Sequence, residues 1–217
     1  MKSFAKAMIL AASVASATSA NATVSVSAAT GCTSYCGPTP ITYNFNTLAS
    51  TPTFVGGSVV GPGTTSNAFA APVGGSGLYY SVGPSTSHPG TITLGSNIGS
   101  FSFIWGSIDT FNSLSLITAG GTHTYSGSAI AALVPAPANG SQVILAQNPI
   151  VTFLLSGLDQ TNVRLRLNSS QNAFEIDDIA VSTVPEPGTW AMMLVGFGAL
   201  GFAMRRRNGP KALTQLA

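Results

Sequence analysis

Charge is what this chain of 217 residues has little of: 8 basic and 6 acidic side chains, about a quarter of the usual charged fraction. A nucleic-acid binder needs a dense cationic face and a coiled coil needs ionic flanking positions, and neither can be built from so few charges. Disorder through excess charge is excluded as well, because 45% of the residues are hydrophobic, enough to bury a core. No Asp, Glu, Lys or Arg occurs between Lys6 and Asp109, and three of the eight basic residues form one run, Arg205, Arg206 and Arg207. The net charge of +2 therefore describes the two ends. From Thr23 to Val184, two positive residues (Arg164, Arg166) stand against five negative ones (Asp109, Asp159, Glu175, Asp177, Asp178), a formal −3.

Reactive side chains are equally scarce. There are two cysteines, Cys32 and Cys36, spaced C-x-x-x-C. That is one residue longer than the thioredoxin-type motif, and no further Cys or nearby His completes a zinc site. In an oxidising compartment the pair predicts a local disulfide. His88 and His123 are the two histidines, and no G-x-S-x-G elbow presents a nucleophilic serine. Glycoside hydrolysis needs two carboxylates at close range, for which Asp109 with one of the later acids is a candidate. An Asp in such a turn more often caps backbone amides. Glu175, Asp177 and Asp178 could hold calcium together with backbone carbonyls, or could simply mark a bulge.

Both termini read as addresses. Lys2 and Lys6 precede an apolar stretch from Ala7 to Ala17 and then Ser19-Ala20-Asn21-Ala22, where Ala20 and Ala22 fit the small-x-small cleavage pattern. Residues 1–22 are thus a secretory signal peptide, handled by the secretion machinery and signal peptidase. At the other end, Pro187 to Met204 is uncharged and runs straight into the arginine triplet. As a helix it covers roughly 27 Å, near the hydrocarbon thickness of about 30 Å. A single transmembrane helix over 188–204 follows, with the large part exported and the tail 208–217 in the cytoplasm by the positive-inside rule. Trp190 falls near the exported interface. Gly196-Phe197-Gly198-Ala199-Leu200-Gly201 matches a dinucleotide fingerprint but lacks the preceding strand and the downstream acid, so these glycines are small residues of a membrane helix.

The segment from Val184 through Pro185-Glu186-Pro187-Gly188-Thr189-Trp190-Ala191 to Arg205-Arg206-Arg207 closely resembles the PEP-CTERM sorting signal, in the variant with Trp-Ala after the Pro-Glu-Pro triplet. The resemblance implies processing by an exosortase, a membrane-embedded cysteine protease or transpeptidase of Gram-negative bacteria that make exopolysaccharide. The same segment also carries the label of an ice-binding-protein C-terminal domain, which says nothing about ice. Pro185 and Pro187 fix φ and withhold amide donors, so the triplet stays extended outside the bilayer.

The stretch 23–183 reads as one exported domain. Period-two alternation marks Ile41-Tyr43-Phe45, Phe101-Phe103-Trp105, Leu114-Leu116 and Val163-Leu165-Leu167. Further strands are expected at 78–82, 91–94, 122–126, 142–146 and 150–155, while the segment from Thr47 to Gly77 could be a loose insertion or, equally, hold edge strands around Phe54, Val55, Val59, Val60 and Phe69. No helical stripe interrupts them. The prediction is an all-β fold, a single antiparallel β-sandwich or jelly roll. Residues 101–112 and 173–179 resemble segments of exosortase-dependent surface proteins, and the latter also resembles closing strands of galactose-binding-like carbohydrate modules. Trp105, Tyr79, Tyr80 and Tyr125 could form a sugar-stacking face, although Trp105 shares its face with Phe101 and Phe103, as core residues do.

The expected function is that of a non-catalytic cell-surface or exopolysaccharide-matrix (biofilm) protein, structural or glycan-contacting, anchored in the membrane until an exosortase processes it. No nucleic acid and no cofactor are expected beyond the calcium just named. The alternative is a secreted hydrolase acting on matrix polysaccharide. A near-neutral, hydroxyl-rich surface predicts weak salt dependence of any binding.

Overall fold

The computed structural model describes residues 22–185 and 187–207. Residues 1–21, which hold Ala20 and all but the last residue of the expected signal peptide, lie outside the described residues, as do Glu186 and the tail 208–217. Eleven strands fall into two sheets in which every pairing is antiparallel. They are β1 (Thr23–Ala29), β2 (Thr53–Val55), β3 (Ser58–Val60), β4 (Tyr79–Val82), β5 (Gly90–Gly95), β6 (Ile98–Gly106), β7 (Asn112–Ile117), β8 (Thr122–Ser126), β9 (Ile150–Ser156), β10 (Val163–Ser169) and β11 (Phe174–Thr183). The six-stranded sheet has the order β1-β9-β6-β11-β4-β3 and the five-stranded sheet β2-β5-β10-β7-β8. Two helices complete the chain, the short α1 (Gly127–Ala131) and the C-terminal α2 (Pro187–Arg207).

Alternation explains the layering. In β10 the apolar Val163, Leu165 and Leu167 are buried while Arg164, Arg166 and Asn168 are exposed, the signature of a strand with one wet face. Ile92 of β5, Leu114 and Leu116 of β7 and the β10 residues meet Phe101, Phe103 and Trp105 of β6, Val151 and Phe153 of β9, and Phe174 and Ile176 of β11 in one hydrophobic core. Aromatic stacking organises its centre: Trp105 lies 4.1 Å from Phe174 and Phe101 lies 4.8 Å from Phe153, centroid to centroid. Tyr79, Tyr80 and Trp105 are buried, so they form core and no exposed stacking face.

Three expected strands are absent, among them the edge strand around Phe69, where only the isolated bridge Thr65–Phe69 forms. Ile41, Tyr43 and Phe45 alternate, yet Phe45 has φ +59° and is buried, which no continuous strand allows. Only the isolated bridge Tyr43–Ile179 remains of that pairing. Residues 142–146 form loop running into a tight turn at Leu145–Gln147, with Val143 exposed. Conversely β1 pairs along its whole length with β9. The bulge expected at the two aspartates is present: the β11–β6 register shifts between Asp177 and Ala180, and Asp178 has φ +51°.

The expectation of a bilayer-crossing span over 188–204 needs correction in length and apolarity. Among the described residues no helix is long and apolar enough to cross a membrane. The 21 residues of α2 include three terminal arginines, and Gly188, Gly196, Gly198 and Gly201 with Thr189 dilute what lies between.

Candidate functional site

Two regions concentrate chemistry, and β11 joins them. The first is the exit of β11 into α2. Thr183 still pairs with Ile98, and the Val184 amide donates to the Asn97 carbonyl at 2.7 Å. Pro185 follows, exposed and without regular structure, and Pro187 is the first helical residue, the position where a missing N–H costs nothing. The triplet therefore begins one residue after the last backbone bond of the sheet. Beyond it, every residue from Gly188 to Arg205 is exposed, including Trp190 and the apolar Leu194, Val195, Phe197 and Leu200. Arg205, Arg206 and Arg207 form the last turn of α2. At the other end of the domain, Ala22 is exposed one residue before β1 begins, so cleavage after it would leave the strand intact. Cys32 and Cys36 are joined by a disulfide with Cα atoms 6.1 Å apart.

The second region is the outer face of β11. Phe174 and Ile176 point into the core, so Glu175 and Asp177 face the other way, beneath the segment 62–77 that crosses the sheet. Glu175 is fully buried, accepts the Ala70 amide at 2.8 Å on Oε1 and the Ser107 hydroxyl at 3.0 Å on Oε2. Burial pushes its carboxyl up to about 7, with those two donors pulling the other way and the Asp109 charge adding to the rise. Asp177 rises to about 8 through burial and then the neighbouring Asp178, even though the Asp178 amide donates to it at 2.8 Å. Burial alone lifts Asp178 and Asp109 to about 6. Gly75 is required here, since a Cβ would strike the Asp177 carboxylate.

Glu175 and Asp109 line one pocket of about 160 Å³ together with Asn67, Asn139, Gln142 and Asn172. Asp177 lines a different pocket of about 180 Å³ beside Tyr79 and Gly77. The expected calcium set is thereby split. Among the described residues no group of three or more His, Cys, Asp or Glu side chains could hold a metal ion. The two carboxylate oxygens of Glu175 are spent on protein donors, and Asp178 sits on the left-handed turn of the bulge.

One arrangement escaped the sequence reading. Asp159, buried in the turn Gly157–Gln160, accepts from Thr118 Oγ1 and lies 3.3 Å from His123 Nε2. This is the ion-pair geometry present among the described residues, and it ties the β7–β8 hairpin to the β9–β10 turn. A lone Asp between Leu and Gln gave no pattern by which to find it.

Fold and exit together define a β-rich module that hands its chain, through a proline-bounded junction, to an exposed apolar helix ending in arginines. The family model described as the PEP-CTERM protein-sorting motif matches residues 183–207, from the last residue of β11 to the last residue of α2. No curated protein and no solved structure matches the chain. The chain carries this sorting motif, which marks it for export and exosortase processing.

Proposed function

We propose that the chain is a cell-surface or exopolysaccharide-matrix protein of a Gram-negative bacterium, exported by its signal peptide and held transiently in the inner membrane by α2. An exosortase then cuts or transfers it near Pro185 to Pro187, with the module in the periplasm and the tail in the cytoplasm. Residues 23–183 act as a non-catalytic β-sandwich with a structural or glycan-contacting role. The observation that carries this reading is the sorting match at 183–207, beginning where the sheet ends. A short, glycine-diluted helix suits a temporary tether better than a permanent anchor, because its hydrophobic length falls short of the bilayer core. The test is intact-mass and C-terminal analysis of the protein from hosts with and without the exosortase. A shortened C-terminus that depends on the exosortase supports the reading, and an uncut chain in both hosts sinks it.

A second reading has one observation in its favour: Asp109 and Glu175 line the same pocket, both with raised pKa, as an acid pair for hydrolysis would be. Against it, both Glu175 oxygens are already occupied. Release of reducing ends from matrix polysaccharide, abolished in Glu175→Gln, would favour the hydrolase.

A further inference from the structure

The formal −3 of the exported region misstates the charge its surface presents. All four of Asp159, Glu175, Asp177 and Asp178 are buried, and Asp109 is half-buried. The exposed charged side chains between residues 22 and 183 are Arg164 and Arg166 alone. They stand two apart on β10, the central strand of the five-stranded sheet, so their Cα atoms are about 7 Å apart on one face. Neither has an ion-pair or hydrogen-bond partner among the described residues. Among the described residues every carboxylate is buried or half-buried away from them.

The register sets what surrounds them. Thr91 and Ser115 stand opposite Arg166, and Thr93 and Ile117 stand opposite Arg164. One strand further out, Thr124 stands opposite Ser115, and their hydroxyls bond at 2.9 Å. Asn168 continues the exposed row of β10. A recess of about 350 Å³ bordered by Thr93, Gly95, Asn162 and Arg164 opens beside it. The result is a face made mainly of hydroxyls and an amide, with Ile117 and the exposed Val55 among them, and two unpaired guanidinium forks at its middle.

We propose that this face of the five-stranded sheet binds an acidic polysaccharide, one that carries its carboxylates on a hydroxyl-rich chain. The inference rests on the glycan-contacting reading above and deepens it. Guanidinium forks match carboxylates in bidentate fashion, and the flanking Thr and Ser hydroxyls both donate and accept, as sugar hydroxyls require. A nucleic acid fits less well, because it rewards many cations and stacking aromatics and this face offers two arginines and no ring. The weak salt dependence expected from composition gives way to a measurable one.

The experiment uses the full chain in detergent, applied to immobilised alginate as polyuronate, to dextran as a neutral control and to a single-stranded DNA oligonucleotide. Alginate should bind and dextran should not, with retention falling as salt rises from roughly 20 to 200 mM. Arg164→Gln with Arg166→Gln should weaken alginate binding at least about tenfold, while the double Lys variant keeps part of it. Both positions are exposed, so unchanged thermal melting checks that the variants fold. Equal binding to alginate and dextran that survives the double Gln variant would overturn the proposal and leave the glycan-contacting reading standing. No binding to either polysaccharide would remove both. Tighter binding to the oligonucleotide than to alginate would replace the glycan by nucleic acid.

Discussion

Replacing Glu175 by Gln should stabilise the protein at pH 8 and leave it nearly unchanged at pH 4. An acid whose native pKa lies above its unfolded value binds its proton more tightly in the folded chain, so folding is favoured while the group is protonated. For Glu175 the ordinary value of 4.5 becomes about 7. Its contribution is full below about pH 4 and is lost as pH rises through 7. Each pH unit between the two values is worth about 1.4 kcal/mol, so ionising this one buried side chain costs the native state about 3 kcal/mol. Asp177 has the same sign and moves from 3.8 to about 8. The Gln amide can still accept the Ala70 N–H through its oxygen and donate to Ser107 Oγ, so both hydrogen bonds survive in reversed or retained polarity. Allowing for relaxation around the ionised group, about 2 kcal/mol should be recovered at pH 8, or about 4–8 °C in Tm for a domain of this size. Circular-dichroism melts of wild type and variant at pH 4, 6 and 8 decide it. A wild type that gains stability from pH 5 to pH 8, or a variant equally destabilised at all three, would refute the burial argument.

Trp105 is fully buried and stacked on Phe174; Trp105→Ala should cost about 3–5 kcal/mol, measured as a shift in denaturant midpoint at constant m-value. Asp178→Asn should be nearly neutral, because Asn tolerates the left-handed backbone at φ +51°. Asp178→Val should lose about 1–2 kcal/mol at the same site by thermal melting. Removing the Cys32–Cys36 bridge with two serines should cost about 2 kcal/mol or less, since the closed ring is small. Replacing Pro185 and Pro187 by Ala should leave export intact but stop C-terminal processing, so intact mass should report the uncut chain; normal processing would defeat the role given to the prolines.

Much of the architecture was legible where alternation and turn residues agreed. The β10 sequence, with arginines between Val163, Leu165 and Leu167, announces one dry and one wet face, and the structure has both. The bulge at Asp177-Asp178 was readable because the apolar phase changes there. Alternation misled at Phe45, where a positive φ turns the chain out of a strand that composition alone permits. It misled again at 142–146, whose Val143 and Ile144 are exposed and so lack the burial that makes a strand worthwhile. Val24, Val26 and Ala28 alternate with small polar residues, yet β1 was hidden by its place just after the signal peptide. The sorting segment was legible in full, because prolines, apolar helix and arginines each act locally. The acid-lined pockets were not, because they depend on the segment 62–77 folding over β11, a contact between residues about a hundred positions apart such as Ala70 and Glu175.

The position of β11 would let such a module survive the loss of its tail. β11 lies inside the six-stranded sheet, between β6 and β4, and its inward residues Phe174, Ile176 and Ile179 belong to the core. Tension on α2 is therefore borne by one of the best-buried strands, and thermal fraying at the exit is resisted up to Val184, the last residue bonded back to the sheet. The exposed Pro185 lies beyond that bond and α2 is exposed from Gly188 to Arg205, so among the described residues a cut at the triplet would remove no core contact and break no ladder hydrogen bond. Both sheets are complete without α2, which contributes no strand to either. Separating a fold whose last sheet-bonded residue is Val184 from a sorting segment that continues at Pro185 would let a protease act at the junction with no domain unfolding, which is the physical requirement the proposed processing has to meet.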